Sequence, residues 1–333
     1  MLSKVYDKYK KDLIEYFITI LITVALFFVL SYELPYTITS PGTSAPIYKT
    51  LSFKDNYLVD KNLNTAYIVQ RKLTPTTYLL SLFNKSWDIN KDEKNTNPGL
   101  MDDEDIDKVF YDMSNQEAII FAYNKAGKYV ELIEEKIYIL GISESAQTDL
   151  KVNDQLLSID GVKIIDENSL KSIDLISKVN QNINIVVNRD GKEVTCYAKV
   201  FLDENKAKIG IYRFLDYQIK TNPEIIIEKR NNVSGPSGGF MMSLAIYSAL
   251  SKIDLSNGRK IVGTGTIDLD GKVGPVGGIK YKLIGAIRSN ADMFLVPSGE
   301  NYDEAIEIKN KYNYDIEIYP ITIFDDAIAI LSK

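Results

Sequence analysis

Ser237 lies within Gly235-Pro236-Ser237-Gly238-Gly239, and two lysines lie within Gly277-Gly278-Ile279-Lys280-Tyr281-Lys282. A hydroxyl framed by glycines reads as a nucleophile, because residues without side chains let a substrate backbone come close and tolerate a tight entry into a helix. The sequence contains no histidine, so the base that activates this hydroxyl is a lysine or a carboxylate. That combination points to Ser/Lys hydrolase chemistry. Taken alone, Gly-Pro-Ser-Gly-Gly is also ordinary structural punctuation, a serine N-cap behind a Gly-Pro turn. A lysine near its usual pKa of about 10.4 is almost wholly protonated at neutral pH. A basic lysine must therefore be buried among apolar groups, which disfavour the ammonium form. On a helix that follows Gly278, Lys282 shares a face with Gly278, Gly285 and Ala286, so a neighbouring element can close around it. Lys280 points roughly 200° away on that helix, so only one of the two lysines can face the serine.

The elements that must position these groups follow from hydrophobic periodicity. A helix over 238–251 is apolar on several faces (Phe240, Met241, Leu244, Ala245, Leu250), which predicts burial. Ser237 directly precedes it, where unpaired backbone N–H groups and the positive dipole end favour a negative oxygen. A strand over 260–267, a turn at Asp270-Gly271, a helix over 279–289, a strand over 293–296, a helix over 300–312, a strand over 316–319 and a helix over 323–331 complete an α/β pattern. Upstream, Ile106, Val109, Phe110, Met113, Ala118, Ile119 and Ala122 form one apolar face of a helix over 103–125. The acidic run Asp102-Asp103-Glu104-Asp105 suits the positive end of that helix better than a metal site. Residues 84–99 are polar and read as an exposed loop, residues 35–42 as extended chain and turn, and residues 65–69 as a strand.

With 333 residues, 45% of them hydrophobic, the chain is long enough for two or three packed domains. A net charge of −6 excludes a general nucleic-acid binder. A single cysteine, Cys196, makes no internal disulfide, and without histidine the usual zinc ligand sets are missing, so no metal and no cofactor is expected. Tyr16 to Tyr32 is an uncharged run of 17 residues, apolar on every face, and with Leu13 and Ile14 it is long enough to cross a bilayer. Lys4, Lys8, Lys10 and Lys11 precede it, which predicts a cytoplasmic N-terminus and an extracytoplasmic remainder. Ser31-Tyr32-Glu33-Leu34-Pro35 lacks the small residues of a cleavage site, which favours an uncleaved anchor.

Residues 133–203 have a different texture. They contain strand-like Ile137-Tyr138-Ile139-Leu140, an Asp154-x-x-Leu157-x-x-x-x-Val162 stretch enclosing Gly161, a helix over 169–179, a strand over 183–187 and a hairpin at Arg189-Asp190-Gly191-Lys192. This order resembles a PDZ domain of the bacterial protease-associated kind, with Asn153 standing where a glycine usually precedes the aspartate. The resemblance implies a peptide added as a strand near Tyr138, Ile139, Leu140, Gly141 and Ile142.

Residues 205–333 resemble the proteolytic domain of Lon-type proteases, specifically the membrane-anchored bacterial members that carry a PDZ domain and no ATPase. The matching segments are Gly235 to Gly239, Gly263-Thr264-Gly265-Thr266-Ile267, Gly271 to Ile279, and Lys282. The resemblance implies Ser237 as nucleophile, Lys282 as base and Thr264 as a hydrogen-bond partner that holds the lysine. Gly235, Pro236, Gly238 and Gly239 are supporting residues, and Gly238 stands where alanine is more usual. It also implies protein or peptide substrates and a homo-oligomer, a hexamer in this family. Gly265 to Lys272 fails as a phosphate loop, with five residues between its glycines and Val273 where Ser or Thr is needed.

The expected architecture is multidomain α/β (α+β): a tail over 1–12, a transmembrane anchor over 13–32, an extracytoplasmic region over 33–132, a PDZ-like domain over 133–203 and a proteolytic domain over 204–333. The expected activity is ATP-independent peptide-bond hydrolysis outside the cytoplasmic membrane. The alternatives are a catalytically silent PDZ adaptor and a small-molecule amidase or esterase.

Overall fold

The computed structural model describes residues 2–92, 99–228 and 235–332. The chain forms two compact units, one of residues 1–42 with 68–93 and one of residues 43–67 with 94–333.

In the first unit, helix α1 (Leu2–Ser31) contains all of the predicted apolar run but its last residue, Tyr32. Its stretch Tyr9–Ser31 is long and apolar enough to cross a membrane, and all of its residues are exposed. Helix α2 (Pro75–Ser81) is a short element that periodicity misses. It starts at Thr74, whose hydroxyl accepts from the Thr77 amide while the Thr77 hydroxyl accepts from the Thr74 amide, a reciprocal cap behind a proline in the first turn. The expected loop over 84–99 contains a strand, Asp88–Lys91, paired antiparallel with residues Tyr36 to Thr39. Residues 93–98 of that loop lie outside the described residues.

The second unit contains both regions whose patterns were singled out in the sequence. Helix α3 (Asp103–Lys125) matches its predicted bounds, with Asp103, Glu104 and Asp105 in the first turn, where acidic groups suit the positive dipole end. An antiparallel sheet runs in the order Ile211–Asn222, Tyr129–Ile142, Gln155–Ile159, Asn182–Arg189, Lys192–Lys199. The last two strands join through Asp190 and Gly191, both at positive φ, as a two-residue hairpin with this sequence requires. Asp154 and Arg189, noted separately in the sequence, meet as a two-pronged ion pair with both N–O distances 2.7 Å, and the Asp154 side chain is 1% exposed. Asn153 has φ 69°, the left-handed region where asparagine substitutes for glycine at little cost.

The helix expected over 169–179 is broken. Helix α4 (Glu167–Lys171) stops early, and a 3₁₀ turn, Ile176–Lys178, follows. The Asp174 carboxylate accepts from the amides of Ile176 and Ser177, offering the backbone a turn in place of a helix.

The remaining sheet of this unit is parallel. Glu317–Ile321, Met293–Pro297, Ile261–Gly263 and residues Leu63 to Thr65 lie side by side in that order. Period-two alternation sorts their side chains. Leu63, Ile261, Met293 and Leu295 pack with helix α5 (Gly239–Ser251), while Ala66, Val262, Phe294 and Val296 pack with helices α6 (Ile279–Arg288) and α7 (Glu300–Tyr312). Helix α8 (Phe324–Leu331) joins the α5 side through Phe324, Ala327 and Leu331. The continuous strand expected over 260–267 ends at Gly263, and Thr266–Ile267 pairs instead with Val273–Gly274.

Residues 133–203 and 204–333 were expected as successive domains; Ile211–Asn222, a strand from the second range, pairs along Tyr129–Ile142, most of which belongs to the first.

Candidate active site

Ser237 lies in a 3₁₀ turn, Pro236–Gly238, that leads into α5. Four contacts fix this turn. The Ser237 carbonyl accepts from the Gly265 amide at 2.9 Å and from the Thr264 hydroxyl at 3.0 Å. The Pro236 carbonyl accepts from the Ser114 hydroxyl at 2.9 Å, and the Gly235 amide donates to the Asp107 carbonyl at 2.9 Å. Gly235 has φ 83°, a conformation that strains any residue with a Cβ.

The amides of Gly239 and Phe240, expected to be unpaired at the helix start, are engaged by the carbonyls of Pro236 and Gly265. The reason is local: the 3₁₀ turn and the Thr264–Gly265 segment close on the first turn of α5 and use those donors.

Thr264 directly follows the strand Ile261–Gly263 and is fully buried. It therefore sits at the carboxyl end of the parallel sheet, the place where open α/β sheets put ligands. Its hydroxyl was expected to hold the lysine, and it donates a hydrogen bond to the Ser237 carbonyl. The lone pairs of the same oxygen remain as acceptors.

The two lysines of the motif separate as helical geometry requires. Lys282 is 3% exposed on a helix whose buried neighbours are Ile279, Leu283, Gly285 and Ala286. Burial alone lowers its pKa from the usual value to about 8, with no charged group contributing. Lys280 is half-buried, with Nζ 5.3 Å from the centre of the Tyr281 ring.

A cavity of about 80 Å³ adjoins Ser237. Gly235, Gly238 and Gly239 form one wall, and Thr65, Ala66, Tyr67, Tyr111, Ser114 and Asn115 form much of the rest. The α3 contributors were not singled out in the sequence, although a signal exists. Ser114 lies one turn after Phe110 and one turn before Ala118 on the apolar stripe of α3, where a polar group is unfavourable unless bonded.

The groove expected at Tyr138 to Ile142 is corrected by the sheet register. Ile211 to Phe214 pairs along one edge of this segment. On the other edge, Gln155 pairs with Tyr138, Asn153 and Asp154 bond Ile139, and Gly99 and Met101 bond Ile142 and Leu140. Both edges are filled by the chain itself, so a peptide adds there only by displacing a strand. A groove of about 560 Å³ lies elsewhere in this part of the unit, between Leu170, Ile173 and Leu175 on one side and residues 209–213 on the other.

Comparison with known families matches residues 192–332 to the Lon protease (S16) C-terminal proteolytic domain and residues 119–200 to the PDZ domain. The chain carries a Lon-type serine peptidase domain and a PDZ domain. A Lon protease of Mycoplasma mycoides is 32% identical over 145 residues, 43% of this chain and 17% of that protein. Lon proteases of Campylobacter jejuni (28% over 183 residues, 53% and 22%) and Campylobacter concisus (34% over 137 residues, 39% and 16%) are also similar. The chain thus spans between about a tenth and a fifth of the length of the curated relatives it matches. Ser237, Thr264 and Lys282 all fall inside the stretch matched to the Lon-type domain, whereas Thr65, Asp107, Tyr111 and Ser114 fall outside both matches. Among the described residues no cluster of acidic or cysteine side chains is arranged to hold a metal.

Proposed function

We propose that this protein is an ATP-independent, membrane-anchored serine endopeptidase that hydrolyses peptide bonds outside the cytoplasmic membrane with a Ser237/Lys282 dyad. The observation that carries the reading is the burial of Lys282, which lowers its pKa to about 8 and leaves about a tenth of its amine uncharged at pH 7. Ser237 Oγ attacks the substrate carbonyl while Lys282 Nζ accepts its proton, and the ammonium then protonates the leaving amine. Water hydrolyses the acyl-enzyme with the same amine as base, returning the proton to Ser237. Thr264 holds both partners, donating to the Ser237 carbonyl and accepting from the Lys282 ammonium. The Ser237 amide stabilises the oxyanion, and Gly235, Pro236, Gly238 and Gly239 shape the turn that presents it.

Helix α1 anchors the chain as a single pass, with the lysines before it in the cytoplasm. The PDZ domain recruits or presents peptide substrates, with the groove beside residues 209–213 as its receiving surface. Assembly into a homo-oligomer, a hexamer as the family resemblance implies, shields the site.

The test is cleavage of unfolded protein and peptide substrates by the full chain in detergent, beside Ser237→Ala and Lys282→Ala. Loss of activity in both variants is the expected result. Equal cleavage by all three proteins removes the dyad.

A further inference from the structure

Among the described residues, the segment after the cap of α2 exposes Tyr78 (46%), Leu79 (56%), Leu80 (50%), Leu82 (63%) and Phe83 (85%) within six consecutive positions. Runs of exposed apolar residues of this length are unusual on a water-facing surface and mark an interaction site. Leu82 keeps helical backbone angles after α2 ends, and the Phe83 amide bonds the Leu80 carbonyl. Tyr78, Leu79, Leu82 and Phe83 therefore share one face, spaced at one and four residues.

The position of this face identifies its occupant. The Thr76 hydroxyl in the first turn of α2 donates to the Val29 carbonyl of α1 at 3.2 Å. The Leu34 amide, just past the end of α1, donates to the Leu73 carbonyl, and the Leu73 amide to the Tyr36 carbonyl. These bonds hold α2 beside the last turn of α1. Val29 lies three residues before Tyr32, the end of the apolar run, about 5 Å along a helix that rises 1.5 Å per residue. Interfacial helices bury their apolar face roughly 5–10 Å into the boundary between headgroups and acyl chains. Lys85 follows on an exposed position from which an ammonium reaches the headgroups.

We infer that Tyr78 to Phe83 is a second membrane contact, a foot that lies in the lipid surface beside the end of α1. The inference rests on α1 spanning the membrane. The foot makes the attachment two-point, restricting rotation of this unit about the axis of α1 as a lone helix does not.

The experiment places an environment-sensitive fluorophore (NBD) on one introduced cysteine in the full chain reconstituted into phosphatidylcholine/phosphatidylglycerol nanodiscs. The sites are Leu79→Cys, Phe83→Cys and, within α1, Phe28→Cys, and labelling of unsubstituted chain, whose Cys196 is buried, is subtracted. Phe83 and Leu79 are exposed, so neither substitution removes core packing. Spin-labelled lipids with shallow or deep nitroxides then report depth. The expected result is strong quenching at all three sites, with positions 79 and 83 quenched at least twofold more by the shallow label than by the deep one. Quenching at 28 with none at 79 and 83 overturns the foot and leaves the anchor intact. Blue-shifted emission at 79 and 83 without lipid quenching overturns it in favour of a protein contact. No quenching at 28 overturns the anchor and the foot with it.

Discussion

Ser114 and Gly239 are in tight contact: the Ser114 hydroxyl donates to the Pro236 carbonyl at 2.9 Å, and its oxygen occupies the space that a methyl group on Gly239 would need. The turn that carries Ser237 is thus braced by α3, an element whose first half lies outside both matched domains.

The two glycines after Ser237 differ in consequence. A methyl at 238 meets only the Thr65 hydroxyl at 3.4 Å, an ordinary contact, whereas one at 239 collides with Ser114. Gly238→Ala is expected to keep peptidase turnover within about twofold. Gly239→Ala displaces the turn, and a misplacement near 1 Å at a nucleophile lowers kcat by about 100-fold. Side-by-side turnover of the two variants, with Gly239→Ala/Ser114→Gly as partial rescue, checks this.

Thr264→Val removes the buried hydroxyl that donates to the Ser237 carbonyl. The Gly265 amide still serves that carbonyl, so the loss in stability is about 1 kcal/mol. We expect a fall in kcat of roughly tenfold with KM nearly unchanged, since the group acts on the reacting partners and not on uniform binding. Thr264→Ser restores kcat. An equal rise in KM for both variants speaks against the assigned role.

Lys282 links both activity and stability to pH, and both rise with pH, in adjoining windows. With its pKa lowered to about 8, about a tenth of the amine is free at pH 7, so kcat/KM is expected to rise tenfold per pH unit below that value and level off above about 8. The folded pKa lies below the unfolded value near 10.4, so the unfolded chain binds more protons between them and stability rises with pH across this window. Lys282→Met abolishes activity yet stabilises the fold at pH 7 by about 3 kcal/mol. Thermal melts at pH 7 and 10 show that advantage shrinking at the higher pH. Glu117 on α3, whose carboxyl is pushed up to about 7 by burial and by nearby Asp268, titrates separately. The activity limb is expected to persist in Glu117→Gln.

Asp154→Asn leaves the Arg189 guanidinium without its anion in a site where the carboxylate is fully enclosed. Removing one partner of such a pair costs about 3–5 kcal/mol. A drop in the denaturant midpoint with unchanged slope measures it, and Arg189→Met/Asp154→Leu is expected to recover part of the loss.

Much of this protein is legible in local pattern. The apolar run of α1, the stripe of α3, the Asp190-Gly191 turn and the alternation of elements after residue 238 each declare themselves, because hydrophobic period and turn chemistry act over a few residues. That only one of Lys280 and Lys282 is buried is also local, set by their angular separation on one helix. The Ser237 and Lys282 motifs, and the kinship they signal, were likewise present in the residues alone.

Tertiary structure decided what depends on partners distant in sequence. The pairing of residues 211–222 with 129–142 fills the edge that Tyr138 to Ile142 was expected to offer a peptide, and no short window can show that. The Thr264 hydroxyl donates a hydrogen bond to the Ser237 carbonyl, Ser114 braces Gly239 from α3, and Asp174 ends a helix that periodicity would continue. A hydrogen bond is satisfied by whichever acceptor the fold brings nearest. The sequence names the groups that must be satisfied, and only the packed chain assigns them to one another.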